Sequence, residues 1–175
     1  MKKVLILCMA VFLSVSIFAQ TPVTTTEITK RNSWLKIGAL AGVPVGDLSD
    51  ASNFTLGIDL KGQLMETNHL GIGLTTGYNH FFAKGNGSSF GTIPIGAFVR
   101  VYPESKGFFA GLDGGYSVLT GIDGAKGGVY LRPQIGYHNY DWNVFGYYNN
   151  VFRSNQNGGS FAHVGIGATY NIRFN

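Results

Sequence analysis

The chain is poor in charge and in cysteine. Only 13% of its 175 residues are charged, whereas a soluble globular domain carries about 25%. The one cysteine, Cys8, lies within an apolar run near the N-terminus. If that run is removed, disulfides, thiolate metal sites and a cysteine nucleophile are all excluded. No later stretch is apolar over the roughly 18 residues that a membrane-spanning helix needs.

The N-terminus has the layout of a secretory signal peptide. Lys2 and Lys3 precede the apolar residues 4–18, and Ala19 supplies the small residue of a cleavage site. We therefore predict a signal peptide over residues 1–19 and a threonine-rich periplasmic leader over 20–33. Cleavage removes two of the 13 basic residues against nine acidic ones. The mature chain has no cluster of Lys or Arg, so we expect no nucleic-acid partner.

The rest of the chain, residues 34–175, alternates between apolar and polar positions as strands do. In residues 161–174 every even position is apolar, and most odd positions are polar or glycine. Because side chains alternate across a strand, this pattern predicts one apolar and one polar face. The seventh segment is aromatic on both faces, and its register stays open. We predict one all-β domain with strands near 34–46, 53–66, 70–83, 90–103, 108–121, 128–138, 142–153 and 161–174.

Eight alternating strands fit either a transmembrane barrel or a soluble, lipocalin-like barrel. In the soluble barrel the exterior would be glycine-rich with few Lys or Glu, which is a poor surface for solubility. In the transmembrane barrel the small residues would line a lumen that is just wide enough for side chains. The second arrangement is favoured. The charged residues of the polar series would then pair within the lumen as a structural network: Lys36, Asp59, Lys61, Arg100, Asp113, Arg132 and Arg173.

Two further patterns favour the transmembrane barrel. Short breaks between strands alternate with longer ones rich in Gly, Ser and Asn, as periplasmic turns alternate with outer loops. Aromatic residues also gather at the strand ends, as interfacial belts do. We predict one belt of Trp34, Tyr102, Phe108, Tyr137, Trp142, Tyr170 and Phe174, and another of Phe54, Phe82, Phe90 and Phe161.

The ending of the chain adds a family resemblance. Tyr170, Ile172 and Phe174 lie at spacings of two near the C-terminus, which is similar to the β-signal of outer-membrane barrels. With the signal peptide and eight strands, the chain resembles the small eight-stranded OmpA-like and opacity-like barrel families. The resemblance implies an eight-stranded antiparallel up-and-down barrel in the outer membrane. It also implies contact with membrane lipid, with the barrel-assembly machinery during insertion, and with an envelope protein that the sequence does not identify.

The sharpest enzymatic alternative is a lipid A deacylase of similar size. Those enzymes carry a His-x-Ser-Asn motif late in the barrel, where the histidine activates the serine. Here Ser154 and Asn155 match, but Phe152 occupies the histidine position. Without that base, we predict no catalytic residue and no enzymatic activity.

Other motifs also fail to predict chemistry. The four histidines lack the spacing of a local metal pair: His69, His80, His138 and His163. Asp59 and Asp113 could form a catalytic carboxylate pair, but the five nearby bases favour salt bridges. No cofactor or metal site is predicted. The favoured function is a structural or accessory role in the outer membrane; a narrow pore or small-solute channel comes second, and a deacylase-like enzyme third.

Overall fold

The computed structural model describes residues 34–66, 69–104, 106–122, 124–139 and 141–173. These residues form eight strands, one turn of α-helix and one 3-10 turn. The elements are β1 (Trp34–Val45), α1 (Leu48–Ala51), β2 (Ser52–Glu66), β3 (Leu70–Ala83), β4 (Phe90–Val101), β5 (Gly107–Thr120), β6 (Gly128–His138), β7 (Trp142–Phe152), the 3-10 turn Asn155–Asn157 and β8 (Phe161–Arg173). The predicted signal peptide and leader lie outside the described residues. No helix within the described ranges is long and apolar enough to cross a membrane.

The strands close into an antiparallel barrel. Each strand pairs with the next one in the chain, and β8 pairs with β1. This closing ladder runs from Trp34 opposite Arg173 to Val45 opposite Ala162. Closure matters because it leaves no sheet edge with unpaired N–H and C=O groups. The prediction of eight antiparallel strands is confirmed.

The barrel is apolar outside and polar inside. Ile166 and Ile135 expose 69% and 66% of their surface, whereas Asp59 and Arg100 are fully buried. The same division holds in the seven strands whose faces the alternation predicts. In β7, where the sequence left the register open, alternate residues from Asn143 to Val151 face inward. Aromatic side chains on both faces of β7 explain why periodicity could not assign them.

The connections differ at the two ends of the barrel. The connections 46–51, 84–89, 121–127 and 153–160 define the loop end, and the shorter connections 67–69, 102–106 and 139–141 define the turn end. Gly46 has a φ of 66° and starts the first loop, a conformation that side chains other than glycine adopt rarely. The backbone N–H of Ser49 then donates to its carbonyl at 2.9 Å. The resulting turn, α1, buries Leu48 at the loop end.

The predicted aromatic belts are partly wrong. Tyr102, Phe90 and Phe161 are buried inside the barrel. The prediction placed them by closeness to a strand end, whereas the facing is set by parity. Phe90 shares the parity of Thr92, and Phe161 that of His163, both of which point inward. The side chains of Trp34 and Phe174 lie outside what the structure describes. Six predicted belt residues do face outward: Phe108, Tyr137, Trp142 and Tyr170 at the turn end, and Phe54 and Phe82 at the loop end.

The exposed apolar face predicts a depth-dependent response to charge. Ile166→Arg places a cation near the middle of β8 on the outer face, and we expect it to make folding into lipid less favourable by roughly 2–4 kcal/mol. Ile122→Arg is the matched control, because Ile122 is 45% exposed but lies in a connection at the loop end. The folded fraction of each variant in lipid vesicles can be read from heat-modifiable migration on gels. Equal folding of the two variants would show that the outer face does not meet lipid.

Candidate functional site

The lumen is where the polar side chains of the barrel meet. Inward positions of all eight strands contribute Lys, Arg, Asp, Asn, Gln, Ser, Thr and His side chains that are at least nine-tenths buried. The strand pairing sets their positions, since Asp113 of β5 lies opposite Arg132 of β6. On β2, Asp59 and Lys61 are two residues apart and therefore face the same way.

Two carboxylates and two cations form the ion-pair core of the lumen. One terminal nitrogen of Arg132, Nη2, lies 2.6 Å from Oδ1 of Asp59, and its Nε donates to Oδ2 of Asp113 at 2.9 Å. Lys61 donates to the same Asp113 oxygen and lies 3.5 Å from Asp59. All four side chains are almost inaccessible to solvent. Alternating the charges in this way is what makes their joint burial tolerable.

A glutamine links a third cation to this core. The amide nitrogen of Gln134 donates to Oδ1 of Asp113 at 2.7 Å, and its oxygen accepts from Nη2 of Arg100 at 3.0 Å. The Arg100 guanidinium therefore joins the network through a neutral side chain. Its carbon Cζ also lies within cation–π distance of three ring centroids. The rings belong to Phe109 at 4.7 Å, Phe145 at 5.5 Å and Phe98 at 5.7 Å.

Lys36 takes part in a second polar group. Its Nζ donates to Oδ1 of Asn171 at 2.9 Å. The amide of Asn143 donates to the same oxygen at 2.7 Å and to the Thr169 hydroxyl at 3.3 Å. The seven charged residues predicted to form a lumenal network are placed as follows. Asp59, Lys61, Arg100, Asp113 and Arg132 are connected by the contacts above, Lys36 bonds Asn171, and the side chain of Arg173 lies outside the described structure.

Sequence reasoning missed the neutral members of both groups. Gln134 and Thr75 contact the charged residues directly, with the Thr75 hydroxyl 3.2 Å from Nζ of Lys61. Asn143 and Asn171 organise the second group. Parity was an available signal for Gln134 and Asn171, which lie in the same alternating series as Arg132 and Arg173 of their strands, and for Thr75, which lies in the inward series of β3. For Asn143 the sequence offered no such signal, because the register of β7 stayed open. A search restricted to charged side chains does not use that signal.

Apolar side chains close the lumen toward the loop end. We call this cluster the outer lid. Phe81 stacks on Phe90 with ring centroids 4.6 Å apart, and Phe161 packs edge-on against both at 5.9 Å. Because the cluster is buried and apolar, it separates the polar lumen from the loop end. The outer lid comprises Leu48, Phe81, Phe90, Leu119, Tyr130, Val151 and Phe161.

A second cluster, the lower cluster, lies on the other side of the barrel interior. Tyr102 follows the end of β4 and folds inward, where its ring lies 4.6 Å from that of His138. His138 in turn contacts the carbonyl oxygen of Glu104 through Nε2 at 3.1 Å. Side chains therefore also cover the lumen toward the turn end. The lower cluster comprises Leu40, Tyr102, Phe109, Phe145 and Tyr147.

The structure separates the serine and the histidines that were considered for catalysis or metal binding. Ser154 is exposed at the loop end, and the Phe152 side chain points outward with 46% of its surface exposed. His163 is buried in the lumen, with its ring 5.1 Å from Phe81 and 5.5 Å from Tyr147. His80 is on the outer face, 3.1 Å from the Tyr78 hydroxyl. Among the described residues, no three His, Cys, Asp or Glu side chains are grouped for a metal ion.

The ion-pair core predicts a large cost for removing one charge. Asp113→Asn takes away a carboxylate that serves both Lys61 and Arg132, and we expect the free energy of unfolding to fall by about 3–5 kcal/mol. Urea unfolding in detergent micelles measures the change. Asp50→Asn, in the exposed turn α1, is the control and should change stability by less than about 0.5 kcal/mol. An unaltered midpoint for Asp113→Asn would contradict the assigned network.

Comparison with known proteins supports the architecture. No family model and no curated protein matches the chain. The N-terminal barrel domain of Pseudomonas aeruginosa OprF aligns at 10% identity over 81% of this chain and 98% of its own, with a TM-score of 0.51. Neisserial surface protein A aligns at 13% identity, over 79% and 96%, with a TM-score of 0.52. The attachment invasion locus protein of Yersinia pestis, Ail, aligns at 12% identity, over 80% and 97%, with a TM-score of 0.52. By its fold, the chain is a small eight-stranded transmembrane β-barrel of the outer-membrane type.

Proposed function

We propose that the protein is a non-enzymatic, integral outer-membrane barrel with a structural or accessory role. The observation that supports this most strongly is the combination of an apolar exterior with a lumen filled by packed side chains. The exterior suits permanent residence in lipid. The filled interior leaves the outer surface and the connections as the parts that can meet other molecules.

The dimensions and surface support the membrane location. The strands contain 11 to 15 residues, and a tilted strand needs about 9–11 residues to cross the hydrocarbon core. The middle of the outer face exposes large aliphatic side chains such as Ile95, Ile135 and Ile166. At the turn end, Trp142 and Tyr170 pack with ring centroids 5.0 Å apart on that face. Amphipathic rings at this position match a membrane interface.

The packing of the lumen argues against the pore. A solute crossing the barrel would have to displace the outer lid, separate the ion-pair core and pass the lower cluster. Lys61, Asp59, Asp113 and Arg100 are each fully buried. Separating paired charges in so dry an interior carries a high desolvation cost. We therefore prefer a sealed barrel to a channel.

The loop end argues against the deacylase. A nucleophilic serine needs a base within hydrogen-bond reach, about 2.6–3.2 Å. Ser154 lies in the β7–β8 connection at an exposed position and directly precedes the 3-10 turn. The position that would supply the base is Phe152, and its ring points away from the lumen. Ser154 is better interpreted as a loop residue.

The proposed route of export and assembly is based on the sequence patterns at the two ends of the chain. We propose that residues 1–19 direct export and are removed, and that residues 20–33 remain as a periplasmic leader. Tyr170, Ile172 and Phe174 would then serve as the β-signal read by the barrel-assembly machinery. Tyr170 is on the outer face of β8 and Ile172 has the same parity, so both are accessible from the lipid side. An envelope protein that binds the loop end or the leader remains a further proposed partner.

A sealed lumen predicts that the protein does not conduct ions across a bilayer. Purified mature protein reconstituted in a planar bilayer should give no long-lived conductance steps, because the outer lid and ion-pair core fill the path. A known porin in the same bilayer serves as the positive control, and protease protection in vesicles verifies insertion. Reproducible, unitary steps from inserted wild-type protein would favour the pore.

The proposed export route predicts a defined N-terminus and location. Protein extracted from membranes should begin near Gln20 by mass spectrometry and should fractionate with the outer membrane. Phe174→Ala should lower the assembled amount in cells, because it removes the terminal aromatic of the β-signal. Ile122→Ala, which alters a connection at the loop end, is the control and should assemble normally. Retention of Met1, or inner-membrane fractionation, would contradict the route.

A further inference from the structure

A group of polar side chains lies on the outer face of the barrel, which is otherwise mainly apolar. We call it the polar patch, and it comprises Tyr78 and His80 of β3, Gly91 of β4 and Thr120 of β5. All four positions belong to the outward series of their strands. Among the strand side chains that the structure describes on this face, His80 is the only histidine, and none is Lys, Arg, Asp or Glu. Because a polar side chain facing lipid is costly, such a group marks a candidate functional site.

Short distances hold the polar patch together. The Tyr78 hydroxyl lies 3.1 Å from Nδ1 of His80. A Cβ at Gly91 would lie 2.4 Å from the Tyr78 hydroxyl oxygen and 2.7 Å from Oγ1 of Thr120, so both hydroxyls lie over the bare backbone of this glycine. Gly91 is also the register partner of His80 on one side and of Thr120 on the other. The absence of a side chain at Gly91 therefore lets three polar side chains converge.

The polar patch lies at the loop end of the outer face. Thr120 is the last residue of β5, and Gly91 is the second residue of β4. The ring of His80 packs edge-on against Phe82 at 4.6 Å, and Phe82 stacks on Phe54 at 4.3 Å. Aromatic rings at the end of a transmembrane strand are typical of the membrane interface. In the proposed membrane location, the patch is therefore at the level of the lipid headgroups.

The polar patch offers hydrogen-bond donors that have no acceptor in the protein. Tyr78 and His80 share one hydrogen bond, and one proton of the pair remains to be donated in either tautomer of the ring. The Tyr78 hydroxyl carries it when Nδ1 is protonated, and Nε2 of His80 carries it when Nδ1 is not. The described residues supply no acceptor for the Thr120 hydroxyl. Two donors are thus available on one small area of the outer face.

We propose that the polar patch binds the phosphate group of a membrane lipid in the leaflet at the loop end. Phosphate oxygens accept several hydrogen bonds, and a charged acceptor forms stronger bonds than a neutral one. The described side chains of this face include no carboxylate that would repel the phosphate. Lys84, which is exposed directly after β3, adds positive charge at the same end. The site rests on the proposed function, because a lipid phosphate lies at this level only if the barrel is in the membrane.

Lipid binding can be measured on the purified mature protein in a non-ionic detergent. Native mass spectrometry compares a short-chain phosphatidic acid with the diacylglycerol of the same chains, so that the two probes differ only in the phosphate. We expect the wild type to retain one phosphatidic acid per barrel and to show no comparable binding of diacylglycerol. Thr120→Val, and the double variant Tyr78→Phe with His80→Phe, should each weaken phosphatidic acid binding about tenfold, because each removes one donor to a charged acceptor.

Matched variants of the same face serve as controls. Thr76→Val removes an outward hydroxyl of β3 whose register partners are Leu60 and Ile95, and Tyr148→Phe removes an outward hydroxyl of β7. Both variants should bind phosphatidic acid as the wild type does. Equal binding of the two lipids by the wild type, or equal effects of Thr76→Val and Thr120→Val, would overturn the proposal. Inorganic phosphate that competes at the concentration of the lipid would also overturn it, by assigning the patch to a free anion.

Membrane insertion is scored separately from lipid preference. Heat-modifiable migration and protease protection in vesicles show whether each variant is a folded, inserted barrel. If the double variant fails to fold, Thr120→Val and the comparison of the two lipids still decide. A wild type that inserts but does not prefer the phosphate-bearing lipid would show that the site is wrong and would leave the membrane barrel in place. A wild type that does not insert would contradict the proposed location and the lipid site together.

Discussion

The structure depends on the narrowness of an eight-stranded barrel. Eight strands enclose an interior that side chains just fill, so each inward position must be small, polar and bonded, or apolar and packed. Glycine meets this demand where strands approach a neighbouring side chain, as Gly38 does against Thr169. Elsewhere the demand is met by Arg132, which reaches across the interior from β6 to Asp59 on β2 with a bond of 2.6 Å. Apolar side chains beyond those of the outer lid and the lower cluster face outward, as Ile135 and Ile166 do.

The interior is organised so that polar and apolar layers alternate along the axis. The outer lid isolates the ion-pair core from the loop end, and the lower cluster covers it on the other side. Low dielectric strengthens every bond within the core, and it raises the cost of any polar group that lacks a partner. This is why Arg100, with one neutral acceptor, stands out against Arg132, which has two carboxylates.

Alternation in the sequence predicted the strands and their facing because each outer position meets lipid and each inner one meets the lumen. It succeeded for β8, where the series from Ala162 to Ile172 is uniformly apolar. It failed for β7, since Phe145 and Tyr147 fill the interior while Tyr148 and Phe152 face outward. The hydrophobicity of a strand does not alternate when both the lumen and the outer face of the barrel accept aromatic rings. The same ambiguity misplaced Phe90 in an interfacial belt.

The chemistry of the lumen was less predictable than its location. Parity shows that Lys36 and Lys61 both point inward, and the two lie opposite each other in the ladder. Even so, Lys61 bonds Asp113 whereas Lys36 bonds Asn171. Partner choice across a lumen depends on strand stagger and on side-chain reach, and neither is encoded in the local pattern. Neutral linkers such as Gln134 are recognisable only once those distances are known.

The seam between β1 and β8 has a kinetic consequence. Its contacts join the two ends of the barrel sequence, and the bond from Lys36 to Asn171 spans 135 residues, whereas every other ladder joins strands that are consecutive in the chain. Bringing distant segments together costs more loop entropy than forming hairpins. The hairpins therefore form first and the seam last. Until it forms, both terminal strands present open edges, so the nascent barrel is most vulnerable to mispairing just before it becomes complete.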